Sequence, residues 1–301
     1  MDNITSWLLS GDISIQYMTH RDLLGSDESI LSSLQCRIPS EGFGARFLAR
    51  RTQSGHWGMH WYQPKWTCTH YTLLDLKNLC VPKTLAPCQE MVTRMFEECA
   101  LEDCGLNLAK SDLPSDIAVN GMILNYASYF CRSNPRVSSL ANHLLGCQHA
   151  DGGFNWDRDS QEGEPHTTIC VLEGLAQYQR SGANQCQGEV TEALERGTAF
   201  LLSNHLFMHA RDRRFSLLSY PYRYRYDLLR ALEFFTNLGM PLRPELLPAQ
   251  EWLREKRKPD GLWQLEHTHK GNVHFEMEAI HQPSRFITLK ALRILWNYGE
   301  E

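Results

Sequence analysis

The chain has 301 residues, enough for one large core or two small ones, and its 42% hydrophobic and 22% charged content is that of a globular protein in water. A formal net charge of -5 implies no basic face for nucleic acid, and no window reaches the about 18 uninterrupted apolar residues of a membrane span. The start, "MDNITSWLLSGDISIQ", has neither the basic opening nor the apolar run of a secretory signal.

In chain order, helical patterns dominate. "YTLLDLKNL", "IAVNGMILNYASYF", "SSLANHLLGC", "TTICVLEGLAQY", "VTEALERGTAFLLSNHLF", "LLRALEFFTNLG", "AQEWLREKR" and "FITLKALRILWNY" place apolar residues at steps of three and four. Gly, Pro or Asp-Gly separates them. Long β-branched alternations are missing, so the expected class is all-α with turn-rich connections.

The helices repeat. Gly55 and Trp57 lead through a polar-aromatic loop to a helix near His70. Gly153 and Phe154 lead to His166, Phe215 leads to Asp227, and Gly261 and Trp263 lead to Arg285. A weaker copy opens near Asp116. "QYMTHRDL" from Gln16 matches "RFITLKAL" from Arg285 in character, with Thr19 on Thr288. The starts lie roughly 45 to 60 residues apart, one helix out and one back. Such hairpins bury their apolar faces by stacking. Six of them close into a double ring, so one (α/α)6 toroid domain is expected over residues 1–301, with the loops before the inner helices at its mouth.

These repeats carry a resemblance. "ADGGFNW" and "KPDGLWQLE" resemble the repeat turn of the terpenoid cyclase and protein prenyltransferase superfamily of α/α toroids. "EGFGARFLARRTQSGHWG", "YQPKWTCTHYTLLDL", "YPYRYRYDLLRALEFF" and "QPSRFITLKALRIL" resemble small bacterial squalene-cyclase-like proteins of undefined activity. The resemblance spans nearly the whole chain and implies the toroid fold. It transfers no catalytic residue. The D-x-D-D and D-D-x-x-D runs of the cyclases are missing, and Asp103 and Cys104 are adjacent where the prenyltransferase zinc pattern is D-x-C.

Candidate site residues gather at the expected helix starts. His70 and His166 occupy equivalent positions in two repeats and suit acid–base work near neutral pH. Asp157, Asp227 and Glu276 are the candidate acid–base carboxylates. Lys65, Trp66, Trp156, Tyr222, Tyr224, Arg225, Tyr226 and Arg285 would bind substrate: the cations by holding an anionic group, the aromatics by packing on its body. Helix N-termini would add to that positive field. The plainer reading makes Thr69, Asp116, Asp227 and Ser284 helix caps, and Trp57, Phe154, Phe215 and Trp263 packing residues between repeats.

His267, His269 and His274, with Glu266, Glu276 and Glu278, have metal-binding density but lie in a long loop that reads as a solvated flap. The ten cysteines, from Cys36 to Cys186, include no C-x-x-C pair and read as reduced thiols of a cytoplasmic protein. A zinc site built on Cys99 or Cys104 lacks motif spacing. No metal, cofactor, nucleic acid or membrane partner is therefore expected.

The functional expectation is an enzyme or ligand-binding protein with a polar-aromatic central cavity. Arg225 and Arg285 would repel a carbocation, so the expected ligand is a small molecule with a polar or anionic head. A non-catalytic scaffold binding a peptide or protein at the mouth, and a carbohydrate-processing enzyme with a carboxylate pair, are the alternatives.

Overall fold

The structure is a computed structural model and describes residues 3–109, 112–182 and 185–299. Among the described residues the chain is helical without a strand; only isolated bridges pair extended segments. The helices are α1 (Asn3–Leu9), α2 (Ile13–Asp22), α3 (Glu28–Arg37), α4 (Gly42–Leu48), α5 (Thr69–Asn78), α6 (Ala86–Cys99), α7 (Ile117–Phe130), α8 (Pro135–Leu145), α9 (Pro165–Arg180), α10 (Gln187–Ser203), α11 (Leu228–Asn237), α12 (Leu247–Glu255) and α13 (Arg285–Asn297).

Five starts fall within a residue of the repeat register, at Thr69, Ile117, Pro165, Leu228 and Arg285. α2 opens three residues before Gln16, because Asp12 accepts a bond from the Ser14 N–H and caps it there. Asp116, Asp227 and Ser284 cap α7, α11 and α13 by accepting from Val119, Arg230 and Ile287 N–H groups. Thr69 is not a cap. It is the first helical residue of α5, and its hydroxyl is used elsewhere. α6 lies outside the runs read as helices, yet Cys88, Met91, Val92, Met95, Phe96 and Cys99 form its buried stripe at helical spacing.

Two kinds of helix alternate. α6 and α12 bury a single stripe. α5 is buried at every position from Thr69 to Leu76, and α7 at nearly all of its length. A helix buried all round has neighbours on every side. α7 packs on α5 and α9, and α13 packs on α11 and on α2, so the last helix lies beside the second. The α7–α9 crossing is close because glycines face each other. A Cβ on Gly174 would stand 2.4 Å from the Gly121 carbonyl oxygen, and one on Gly121 would stand 2.7 Å from the Val171 backbone.

A recurring clasp joins four of the repeat turns to their helices. The Phe154 N–H donates to Thr168 Oγ1 at 2.9 Å, and that hydroxyl donates back to the Phe154 carbonyl at 3.1 Å. Trp263 and Thr288 do the same, as do Trp57 and Thr69. In the weaker copy, the Asn120 amide performs both roles for Leu106. The indoles repeat as well: Trp57 Nε1 donates to the Phe47 carbonyl and Trp263 Nε1 to the Leu253 carbonyl, each ten residues upstream. Trp57, Phe154 and Trp263 are fully buried and Phe215 nearly so, which makes them the packing residues of the repeats.

Candidate functional site

Part of the expected set meets around Tyr224. Trp66 stacks on its ring with centroids 6.4 Å apart, and Lys65 Nζ lies 4.7 Å above it. His166 meets its edge at 6.1 Å, and Arg225 Nε donates to its hydroxyl at 3.3 Å. Beside this group, Trp156, Tyr62, Asp116 and Glu164 line a cleft of about 300 Å³. Trp156 is two-thirds exposed there. Both carboxylates are occupied as helix caps, Glu164 by the His166 and Thr167 N–H groups.

His166 apart, the remaining candidates lie outside this group. His70 is fully buried behind Tyr62, with Nδ1 3.2 Å from the Tyr126 hydroxyl; burial pushes its pKa down to about 3. His166 accepts the Tyr226 N–H at Nδ1, and burial brings it to about 4. Both imidazoles are neutral at pH 7. Tyr226 donates its hydroxyl to the Leu206 carbonyl. Asp157 is an exposed turn residue accepting the Asp159 N–H. Arg285 leaves the group altogether: its guanidinium lies 4.4 Å over Trp7 and donates to the Trp7 carbonyl. Asp227 is buried, and desolvation raises its pKa to about 7.

The residues that sequence reading missed line the interior. The segment from Tyr220 to Tyr226 runs between two cavities. Tyr222 faces one, together with side chains of α5, α7, α9, α11 and α13. Arg223 faces the other. Arg230 fixes the segment in place: it donates to the Arg223 and Arg225 carbonyls at 2.7 and 2.8 Å and forks onto Glu173.

The Arg223 cavity holds about 250 Å³ beneath the loop before α13. Phe47, Phe275, Met277 and Leu265 give it apolar walls. At its base, Arg223 donates from Nη1 to Asp75 Oδ1. The pair is 3% and 2% exposed. Trp66 and Tyr71 lie 5.8 and 5.4 Å from the guanidinium. Asp75 Oδ2 has no donor, and no protein acceptor reaches Arg223 Nε or Nη2 among the described residues. Burial, only partly offset by Arg223, raises the Asp75 pKa above the ordinary carboxylate value.

The histidines of the loop turn inward over this cavity, while residues 270–273 and 279–283 are exposed, so the solvated loop expected describes only part of it. The Trp66 indole donates to the Lys270 carbonyl at 2.7 Å. His269 lies 4.9 Å from the Trp66 ring, and His274 Nε2 meets Thr72 Oγ1 at 3.0 Å. Burial first, then Arg223 at His269 and Arg50 at His274, holds both rings neutral at pH 7. Among the described residues no three His, Cys, Asp or Glu side chains gather in a way that suits a metal ion.

One sequence signal touches this base: Arg223 belongs to the aromatic–Arg alternation, whereas Asp75 in "LLDL" carries none. No protein-family model matches the chain, and no curated protein sequence matches it significantly.

Proposed function

We propose that the helices stack as six hairpins in a closed α/α toroid and that the protein binds a small amphiphilic molecule in the cavity over Arg223 and Asp75. The packing of α13 on α2 supports closure. One observation carries the binding reading: a buried Arg–Asp pair is joined by a single bond at a cavity wall, leaving a carboxylate oxygen and two guanidinium nitrogens without partners. Buried polar groups are normally satisfied, and unsatisfied ones mark where a ligand supplies the missing bonds.

The charges select the head group. Asp75, Glu276 and Glu278 face the cavity against Arg223 and Lys270, so a second anion would be poorly held. A neutral head that both donates and accepts, such as a carboxamide, suits the free Asp75 oxygen and the free Arg223 N–H groups together. The apolar walls take its hydrocarbon or ring-shaped body. Asp75, with its raised pKa, is the group from which proton transfer to or from such a head would proceed.

The carbohydrate reading is weaker, because Asp157 is an exposed turn residue, Asp227 is the buried cap of α11, and the cleft carboxylates Asp116 and Glu164 are committed to helix N-termini. The test is native mass spectrometry of purified protein beside Met277→Trp, which fills the cavity. A neutral amphiphile retained by the wild type and lost from the variant supports the proposal. Retention by both places the ligand elsewhere.

A further inference from the structure

The cavity on the other side of the Tyr220–Tyr226 segment is polar and differently charged. It holds about 80 Å³, several times the ~10–15 Å³ that one water needs. The helices that line it contribute the charged side chains of Lys77, Glu173, Arg180, Arg230, Glu233 and Lys290.

Its two carboxylates are already taken. Glu173 is held by Arg230 through two bonds of 2.8 Å, and Glu233 by Lys290 at 2.5 Å. Lys77 and Arg180 remain. No carboxylate lies within ion-pair distance of either among the described residues. Arg180 makes only long bonds, 3.5 Å to the Asn237 carbonyl and 3.3 Å to Gln177 Oε1. Asn125 supplies an independent sign. It is 4% exposed, lines the same cavity, and its amide oxygen finds no donor. An amide so placed is free to turn its NH₂ toward a guest.

We propose that this cavity binds a small oxyanion of the phosphate type, held by Lys77 and Arg180 with Asn125 donating beside them. Two surplus cations and a free amide in a half-enclosed space are the complement of such an ion. The electrostatics agree. Burial, followed by Arg180, pushes the Lys77 pKa down to about 8, with Glu173 acting in the opposite direction. A bound anion would relieve that repulsion. This site is separate from the Arg223 cavity and does not depend on what binds there.

Thermal unfolding and calorimetric titration with inorganic phosphate, against chloride at matched ionic strength and pH 7, test it. The expected result is a saturable rise in melting temperature with phosphate alone. Lys77→Gln and Arg180→Gln should each weaken affinity by about tenfold or more. Arg180 is solvent-exposed, so Arg180→Gln remains informative if Lys77→Gln does not fold. Met277→Trp should keep the full phosphate response. Equal effects of chloride and phosphate, unchanged affinity in Arg180→Gln, or loss of the response in Met277→Trp would each overturn the proposal.

Discussion

Arg223 and Asp75 are 148 residues apart in sequence and meet in the interior through one guanidinium nitrogen and one carboxylate oxygen. Two buried charges of opposite sign stabilise little in net terms, but removing one leaves the other uncompensated. The first prediction follows. Arg223→Met should cost about 3–5 kcal/mol, and adding Asp75→Asn to it should restore much of that loss. Urea denaturation of the two single variants and the double variant measures the coupling. Additive effects would mean that the pair does not act as a unit.

Asp227 and His70 give opposite pH slopes. Asp227 has a folded pKa raised from 3.8 to about 7, so the stability associated with its protonated form is lost as pH rises through that window. His70 is depressed from 6.5 to about 3, so its contribution is present above 6.5 and lost as pH falls through the window. Asp227→Asn removes one slope and keeps the α11 cap, since Asn caps as well as Asp. Relative to wild type, the variant should gain stability from pH 4 to 7, on the order of 2–4 kcal/mol, and show a constant difference above that. Thermal denaturation across pH 4–8 checks this. A pH-independent difference would contradict it.

The helix starts were legible because caps and turn residues are local. Asp116, Asp227 and Ser284 are cap types standing before apolar runs, and Gly and Trp or Phe mark the turns before three of the helices. The interior polar groups were not legible. Asp75, Glu173, Glu233 and Lys290 sit inside helices and Arg230 in the first turn of α11, where a charge normally marks a solvated face. Only tertiary packing turns that face toward a cavity. Tyr222 and Arg223 are neighbours that face different cavities, a choice set by where Arg230 holds the backbone. Arg285 fits the repeat register, but α1 offers Trp7 as a closer partner.

The α7–α9 crossing supplies a prediction about stability alone. Gly121→Ala would place a methyl group 2.7 Å from the Val171 backbone, and overpacking of this kind costs about 1–3 kcal/mol or more. Gly188, in the first turn of α10, has nothing within 4 Å of a Cβ. Gly188→Ala should be neutral or stabilise by up to about 1 kcal/mol. Chemical denaturation of both variants separates contact from propensity. Equal responses would mean that the crossing tolerates a side chain.

The Arg223 cavity is the centre of this account, and calorimetric titration with octanamide and octanoate tests it most directly. Wild type should bind one equivalent of octanamide and bind octanoate more weakly, and Met277→Trp should lose octanamide binding while keeping its melting temperature. Octanamide binding that is undiminished in Met277→Trp, or no saturable binding by wild type, would contradict it.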